Sequence, residues 1–279
     1  MDYGQPVRFG IFLTPEATDQ PLRLAALADA LGYDIVGVQD HPYQRRFFDT
    51  WTLLTAIAMR TERITVFPDV ANLPLRPPAM LAKAAASLDI LSGGRVELGL
   101  GAGGFWDAIK AYGGPVRTPG ESVSALEEAI QVMRLLWSGQ HGIKFEGKFY
   151  QLAGAHSGPV PAHPLGAWLG AYRPRMLALI GRAADGWVPS LGYVRPPDLL
   201  EGNRRIDEAA HAAGRDPRSI RRLLNAGFLD VETLVALVID HGMDTFLVPD
   251  EESEMRTFMT EVAPRVHEEV GSRRSRRAD

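Results

Sequence analysis

The chain has no cysteine among its 279 residues. Disulfides, thiolate nucleophiles and zinc-thiolate sites are therefore excluded, and any redox chemistry needs a bound cofactor. The chain also lacks an excess of basic charge, since 34 acidic residues outnumber 30 basic ones, the formal net charge is -4 and the pI is about 6.0. We expect no nucleic-acid partner, because proteins of that kind carry a basic patch or stripe.

Long apolar runs are missing as well. No run approaches the roughly 20 residues that a membrane span needs, and the opening residues, MDYGQPVRFGIF, lack the basic and apolar segments of a signal peptide. We therefore expect a cytoplasmic protein with no membrane partner. The last residues, SRRSRRAD, concentrate positive charge. We predict one domain over residues 1–267, followed by a disordered basic tail over residues 268–279.

Strand-like and helix-like segments alternate along the rest of the chain. Eight short runs rich in β-branched and apolar residues lie at 7–13, 35–39, 64–67, 96–100, 167–171, 186–190, 222–228 and 244–249. Eight repeats of this alternation predict an α/β fold of the (β/α)8 TIM-barrel type. A doubly wound sheet is the alternative. Two further β-type runs within residues 141–154 predict a small hairpin inserted after the fourth helix.

In such a barrel the functional residues lie where the strands end. These ends contain few acidic residues, too few for a divalent-metal site, and no lysine that would form a Schiff base. Glycine, proline and small polar residues dominate instead. This composition favours a flat organic ligand that carries a phosphate, and it predicts no metal site.

A glycine-rich turn, VELGLGAGGFWDAI (residues 96–109), follows the fourth predicted strand. Such a turn can be a dinucleotide fingerprint, a seat for another phosphate-bearing cofactor, or the tight corner between a strand and a helix. A dinucleotide site would place its glycines after the first strand. That strand ends in FLTPEATDQ, which has no glycine, so the fingerprint interpretation lacks its structural context.

Several segments together resemble the bacterial-luciferase-like monooxygenase superfamily, in its F420/FMN-dependent oxidoreductase branch. They are VRFGIFL, GYDIVGVQDHP, LPLRPPAMLAKAAASLDILSGGRVELGLGAG, WLGAYRPRMLALIGRAADGWVPS and DTFLVP. The resemblance implies hydride transfer between coenzyme F420, or alternatively FMN, and a small organic substrate. A non-catalytic flavin-binding relative and an FMN-dependent monooxygenase that uses O2 remain alternatives, and the resemblance also suggests a homodimer.

The resemblance implies cofactor contacts at three strand ends and beside the second strand. A non-prolyl cis peptide is implied at Asp69-Val70, behind the ring, and the phosphate is implied at the turn after the fifth main strand. Independently of the resemblance, that turn is a strand end running into a helix with two arginines, an arrangement that attracts phosphate. The implied cofactor-binding residues are Asp40, Asp69, Val70, Asn72, Gly101, Ala102, Gly103, Asp107, Gly170, Ala171, Tyr172, Arg173, Arg175 and Met176.

His41 is the candidate catalytic residue. It follows Asp40 at the end of the second strand, and imidazole is the side chain best suited to proton transfer near neutral pH. In the sugar-phosphate-oxidising branch of the family, a histidine at this position works with a glutamate, but Gly104 stands at the place of that glutamate. We therefore predict that His41 acts alone or only contacts the cofactor, and that sugar phosphates are not the substrate.

Overall fold

The computed structural model describes residues 1–278. Its β-strands are β1 (Arg8–Leu13), β2 (Ile35–Val38), β3 (Thr65–Pro68), β4 (Ala71–Asn72), β5 (Leu98–Gly101), β6 (Ile143–Glu146), β7 (Gln151–Ala155), β8 (Ala167–Leu169), β9 (Gly186–Trp187), β10 (Arg221–Asn225) and β11 (Thr245–Pro249). Each of the eight predicted strands is present. The small strand β4 adds to them, because β3 is interrupted by a bulge before it pairs with β5.

The α-helices are α1 (Pro21–Leu31), α2 (Thr50–Arg60), α3 (Pro78–Ser92), α4 (Trp106–Ala111), α5 (Pro119–Trp137), α6 (Pro174–Ala183), α7 (Pro196–Ala212), α8 (Val231–Ile239), α9 (Glu252–Thr257) and α10 (Ala263–Ala278). A π-helical turn, Phe258–Val262, joins the last two. Local chemistry sets several of these helix starts. Thr118 and Glu121 form a reciprocal capping box before α5, and the Asp49 carboxylate accepts from the Thr52 N–H at the start of α2.

The nine main strands are parallel and form one sheet in the order β3, β2, β1, β11, β10, β9, β8, β5, β4. Two hydrogen bonds close this sheet into a barrel. The Val66 N–H donates to the Arg95 carbonyl at 2.9 Å, and the Glu97 N–H donates to the Val66 carbonyl at 3.1 Å. The prediction of a (β/α)8 barrel is therefore confirmed, and the doubly wound alternative is wrong because an open sheet has two free edges.

The predicted hairpin is also present. Strands β6 and β7 pair antiparallel, with Glu146 opposite Gln151. The hairpin follows α5, which was predicted as the fourth helix. The short helix α4, within the glycine-rich connection, was not predicted.

The prediction of a disordered tail over residues 268–279 is wrong for the described residues. Helix α10 continues across the expected boundary at residue 267 and reaches Ala278, while Asp279 lies outside the described residues. Three contacts hold its basic end to the barrel. Val270 is buried, Arg274 forms a two-pronged ion pair with Asp2 at 2.9 Å, and Arg277 pairs with Asp240 at 3.3 Å. Counting charge alone missed these partners, which come from distant parts of the chain.

The barrel interior is filled by one apolar side chain from each of several strands. Phe67 packs edge to face on Trp168 with ring centroids 5.1 Å apart. The full interior cluster is Phe12, Ile35, Phe67, Trp168, Val188, Leu223 and Leu247. β5 contributes Gly99 instead, since a Cβ there would lie 3.1 Å from the Phe67 ring. This apolar layer lies directly below the mouth of the barrel.

Candidate active site

The mouth of the barrel carries a ring of polar side chains above that apolar layer. Successive inward-facing residues of a strand are two positions apart. One such step beyond Phe12, Phe67, Val188 and Leu223, and two steps beyond Ile35, lie the polar residues that we call the mouth ring: Thr14, Gln39, Asp69, Ser190 and Asn225. Two pairs are hydrogen-bonded. Gln39 Nε2 donates to Thr14 Oγ1 and Asn225 Nδ2 donates to Ser190 Oγ, both at 3.1 Å. Asp69 is the ionisable member of the mouth ring.

The bulge between β3 and β4 contains a cis peptide bond at Asp69-Val70, at the position expected from the resemblance. The Val70 side chain fits against three glycines on the neighbouring strand ends. A Cβ at Gly101 would lie 2.8 Å from Val70 Cγ2, and one at Gly170 would lie 3.2 Å from it. At Gly99 a Cβ would meet the Pro68 carbonyl at 2.1 Å and Val70 Cγ1 at 3.1 Å. The glycines therefore make room for the bulge, a role that the sequence did not reveal.

The remainder of the glycine-rich turn has separate constraints. Gly103 has a φ of +98°, and a Cβ there would lie 2.8 Å from both Pro74 and Trp106, so only glycine fits without displacement. Ala102 packs against the core, and Asp107 is exposed on the first turn of α4. Contact of Ala102, Gly103 or Asp107 with a cofactor stays a prediction.

Asp40 is buried and positions the backbone of Asn72. Its Oδ2 accepts from the Asn72 N–H at 2.8 Å and from Arg76 Nε at 2.6 Å, while its Oδ1 accepts from Arg76 Nη2 at 2.7 Å. Because both carboxylate oxygens are already engaged, the structure gives Asp40 a positioning role, and direct contact with a cofactor stays a prediction. Arg76 was not predicted as a site residue.

Three buried oxygens at the mouth have no hydrogen-bond partner within residues 1–278. They are Asp69 Oδ2, Asn72 Oδ1 and Asn225 Oδ1. A buried polar atom without a partner costs free energy, so the three atoms mark a place where a ligand gains by binding. Burial raises the pKa of Asp69 to about 7, although the nearby Asn225 amide opposes the shift.

His41 lies at the rim of the mouth in an aromatic cluster. Its Nδ1 is 2.7 Å from the Tyr43 hydroxyl, and its ring meets Phe105 edge to face with centroids 5.5 Å apart. Tyr112 extends the cluster from Tyr43. Burial lowers the pKa of His41, against the opposing charge of Asp40, so the imidazole is largely neutral at pH 7 and able to accept a proton.

The predicted phosphate turn lies between β8 and α6. Arg173 precedes α6, and the helix start has no side-chain cap, which leaves this end of the helix open to an anion. Tyr172, Arg173 and Arg175 are exposed there. Ala171 and Met176 are buried, and the Ala171 carbonyl accepts from Trp187 Nε1 at 2.9 Å. Side-chain contact of a phosphate with Met176 is therefore disfavoured.

No group of three or more metal-ligating residues, drawn from histidine, cysteine, aspartate and glutamate, lies close together in the described chain. The residues that the sequence reasoning missed are mostly members of the mouth ring, namely Thr14, Gln39, Ser190 and Asn225. A signal for them existed. Each lies at a strand end, at even spacing from an inward apolar residue, and extending the two-residue period by one step, or by two steps for Gln39, would have selected them.

A closed parallel barrel with a polar mouth and a bulged third strand defines the class of protein. The family model described as luciferase-like monooxygenase matches residues 6–231, which is most of the chain. The protein therefore belongs to the luciferase-like monooxygenase family.

Two curated relatives indicate its neighbourhood within the family. An F420-dependent glucose-6-phosphate dehydrogenase of Gordonia bronchialis is 30% identical over 237 residues, covering 79% of this chain and 68% of that protein. A 5,10-methylenetetrahydromethanopterin reductase of Methanolobus tindarius is 33% identical over 218 residues, covering 76% of this chain and 62% of that protein. The chain thus spans about two thirds or less of these relatives.

Solved structures agree on the fold. An F420-dependent secondary alcohol dehydrogenase in complex with an F420-acetone adduct superimposes with a TM-score of 0.82, at 20% identity, covering 94% of this chain and 99% of that one. The coenzyme F420 dependent tetrahydromethanopterin reductase from Methanopyrus kandleri gives a TM-score of 0.79, also at 20% identity, covering 93% and 99%. At this identity the likeness concerns the fold alone.

Proposed function

We propose that this protein is an oxidoreductase that uses coenzyme F420, with FMN as the alternative cofactor, and acts on a small organic substrate. The observation that carries the proposal is the set of unpartnered buried oxygens on Asp69, Asn72 and Asn225 at the barrel mouth, in a chain of this family. The polar edge of a flavin or deazaflavin ring offers N–H donors, from which such oxygens can accept hydrogen bonds. When bound, the ring supplies hydride transfer.

Each predicted residue has a proposed part in holding that ring. Val70 supports one face of it, Asn72 binds its polar edge, and Asp40 fixes Asn72. The backbone at Gly101, Ala102 and Gly103 borders it, with Asp107 beyond. The turn from Gly170 to Arg175 holds the phosphate. The similarity to the F420-dependent glucose-6-phosphate dehydrogenase of Gordonia bronchialis supports F420 over FMN.

The substrate that we propose is apolar and carries no phosphate. Gly104 stands where the sugar-phosphate-oxidising branch has glutamate. Exposed aromatic rings line both sides of the mouth, including Phe105 and Tyr112 near His41, and Tyr172 against Tyr193 with centroids 5.5 Å apart. Exposed rings of this size are favourable contacts for a flat or apolar molecule.

The deciding experiment titrates the ligand-free protein separately with F420 and with FMN, followed by the fluorescence of the ring. Tight binding of F420 with at least tenfold weaker binding of FMN, a difference of about 1.4 kcal/mol, supports the deazaflavin proposal. The opposite order indicates an FMN enzyme. The proposed function is wrong if neither ligand binds.

His41 is proposed as the acid/base. His41→Ala should leave the dissociation constant of the cofactor nearly unchanged and lower turnover about 10²–10⁴-fold, the usual contribution of a general acid or base. Turnover is measured with a panel of apolar alcohols and ketones. Tyr43→Phe is the matched control, because it removes only the hydroxyl beside Nδ1 and should cost far less. If His41→Ala instead abolishes binding while activity per bound cofactor stays normal, His41 positions the ring.

A homodimer is also part of the proposal. Four large apolar side chains on α2 and α3 are exposed, namely Met59, Met80, Ile90 and Leu91, and burying exposed apolar side chains favours self-association. Leu91→Glu should therefore shift the sedimentation coefficient to that of a monomer.

No helix among residues 1–278 is long and apolar enough to cross a membrane, and cytoplasmic location stays a proposal.

A further inference from the structure

Asp69 occupies an unusual place for a carboxylate. It lies at the cis peptide bond, faces the barrel axis above Phe67, and is about nine-tenths buried. Its Oδ2 has no hydrogen-bond partner within residues 1–278, and neither does the Oδ1 of neighbouring Asn225. A buried carboxylate oxygen without a partner is costly, whereas a protonated carboxyl carries an O–H that can donate to a ligand.

No described ion pair involves Asp69. Arg76, which belongs to the β2 side of the mouth, is held by Asp40 and Asp49. Other ionisable groups around the mouth include Tyr172 after β8, His41 after β2, and Asp250 after β11. Burial raises the pKa of both Tyr172 and Asp250 and lowers that of His41, so none of these three supplies a positive charge to Asp69 at neutral pH. Arg173 and Arg175 of the phosphate turn are exposed to solvent, which screens their charge.

The carboxyl of Asp69 is consequently balanced between its two forms. With a pKa of about 7, it is about half protonated at neutral pH in the ligand-free protein. A flat ring laid over the mouth would exclude water from the site, and removal of water from a carboxyl favours its neutral form. The same ring presents acceptor oxygens and nitrogens at its polar edge.

We propose that cofactor binding is coupled to protonation of Asp69, so that this residue contacts the bound ring as a neutral carboxylic acid and donates a hydrogen bond to it. The proton is taken from solvent, and no covalent bond to the ring forms. The inference rests on the proposed function, since it needs a flavin or deazaflavin ring at the mouth. It adds to that function a titratable ligand contact at the mouth of the barrel.

The test measures proton uptake on binding by titration calorimetry. F420 and FMN are titrated at about pH 7 in two buffers of different ionisation enthalpy, such as phosphate and Tris. The wild-type protein should take up about half a proton per cofactor, which is the unprotonated fraction at its pKa. Its dissociation constant should be about tenfold weaker at pH 8 than at pH 6, because only the protonated form binds well.

Asp69→Asn keeps the shape of the side chain but cannot titrate. It should bind with a dissociation constant that shows no such pH dependence, and its proton uptake should fall by the same half proton. Titration of the cofactor itself is common to both proteins and cancels in their difference. Asp250→Asn is the matched control at the same mouth, since Asp250 accepts from the Thr14 N–H at 3.2 Å, and its proton uptake should equal that of the wild type.

The outcomes separate the inference from the proposed function. Tight binding with equal proton uptake in wild type and Asp69→Asn overturns the inference and leaves the proposed function intact. Failure of both F420 and FMN to bind the wild type overturns both. If Asp69→Asn does not fold, as judged by circular dichroism, Asp69→Ser replaces it with another small polar residue. Retention of the wild-type pH dependence in that variant likewise contradicts the inference.

Discussion

The two ends of the barrel treat their buried polar groups differently. At the end where the strands begin, buried charges are saturated: Asp29 accepts from the N–H groups of Glu62, Arg63 and Ile64, and Arg222 donates to Asn203, Asp207 and the Ile220 carbonyl. At the mouth, Asp69, Asn72 and Asn225 keep oxygens without partners. The first arrangement stabilises the fold, and the second is the one expected where a barrel of this type binds its ligand.

Removing a buried ion-pair partner at the end where the strands begin should cause the largest loss in the free energy of unfolding. Arg222 is fully buried and lies over the Tyr3 ring at 4.7 Å. Arg222→Met should lower the free energy of unfolding by about 3–5 kcal/mol, because it leaves Asp207 without its buried partner. Urea denaturation measures this loss. Arg204→Met is the matched control, since the pair of Arg204 with Glu201 is exposed and should contribute under about 1 kcal/mol. Equal losses would contradict the comparison.

At the mouth, removing the charge of Asp69 should raise the free energy of unfolding instead of lowering it. The folded pKa of Asp69 is raised to about 7 from an ordinary value of 3.8, so the native state retains a proton that the unfolded chain has released. The free energy of unfolding therefore falls as pH rises from about 4 to about 7. Above pH 7 the full loss of stability caused by the buried charge of Asp69 is present. Asp69→Asn should stabilise the ligand-free protein at pH 8 by on the order of 2–4 kcal/mol.

Thermal unfolding of wild type and Asp69→Asn between about pH 4 and pH 9 measures this gain. It should grow with pH up to about 7 and then level off. A variant that is less stable than the wild type at pH 8 would show that the mouth holds its carboxylate in a favourable charged form.

A smaller effect is expected at the phosphate turn. Arg173→Glu places negative charge against the proposed phosphate position and should weaken cofactor binding at least tenfold, about 1.4 kcal/mol. Fluorescence titration gives the dissociation constant. Arg45→Glu makes the same charge change at an exposed position elsewhere on the mouth side and should have a much smaller effect, because solvent screens it. An unchanged dissociation constant for Arg173→Glu would show that this turn does not bind the phosphate.

The smallest effect belongs to the saturated end. His163 lies 2.9 Å from Asp89 and 3.6 Å from Glu97, and the Glu97 carboxylate, followed by the charge of Asp89, raises its pKa against the effect of burial. Its charged form therefore stabilises the fold below its ordinary value of 6.5, and this contribution is lost as pH rises through the raised folded pKa.

His163→Gln should accordingly cost less than about 1 kcal/mol at pH 6 and almost nothing at pH 9, since the side chain is partly exposed. Denaturation at the two pH values measures the difference. A loss that grows with pH would have the wrong sign and would mean that the neutral imidazole is the stabilising form.

The sequence alone was sufficient to predict the repeating strands, and its resemblance to a family predicted the bulge. Alternating periodicity predicted all eight barrel strands, and the position of the cis bulge at Asp69-Val70 followed from the resemblance. What it could not supply were contacts between distant segments. The fit of Val70 against Gly99, Gly101 and Gly170 joins three strand ends, and the order of α10 depends on Asp2 and Asp240. A charge count sees the arginines of that helix but not their partners.

The connection between β10 and α8 is short, with only residues 226–230 between Asn225 and Val231. Asp230 starts α8 by accepting from the Thr233 N–H at 2.8 Å, and it is exposed. A graft of about ten residues between Leu229 and Asp230 would roughly triple the length of this connection. Loop closure would then cost only about 1 kcal/mol, and the helix start would be retained. We therefore expect the barrel to tolerate a designed lid at this connection without any change to its strands.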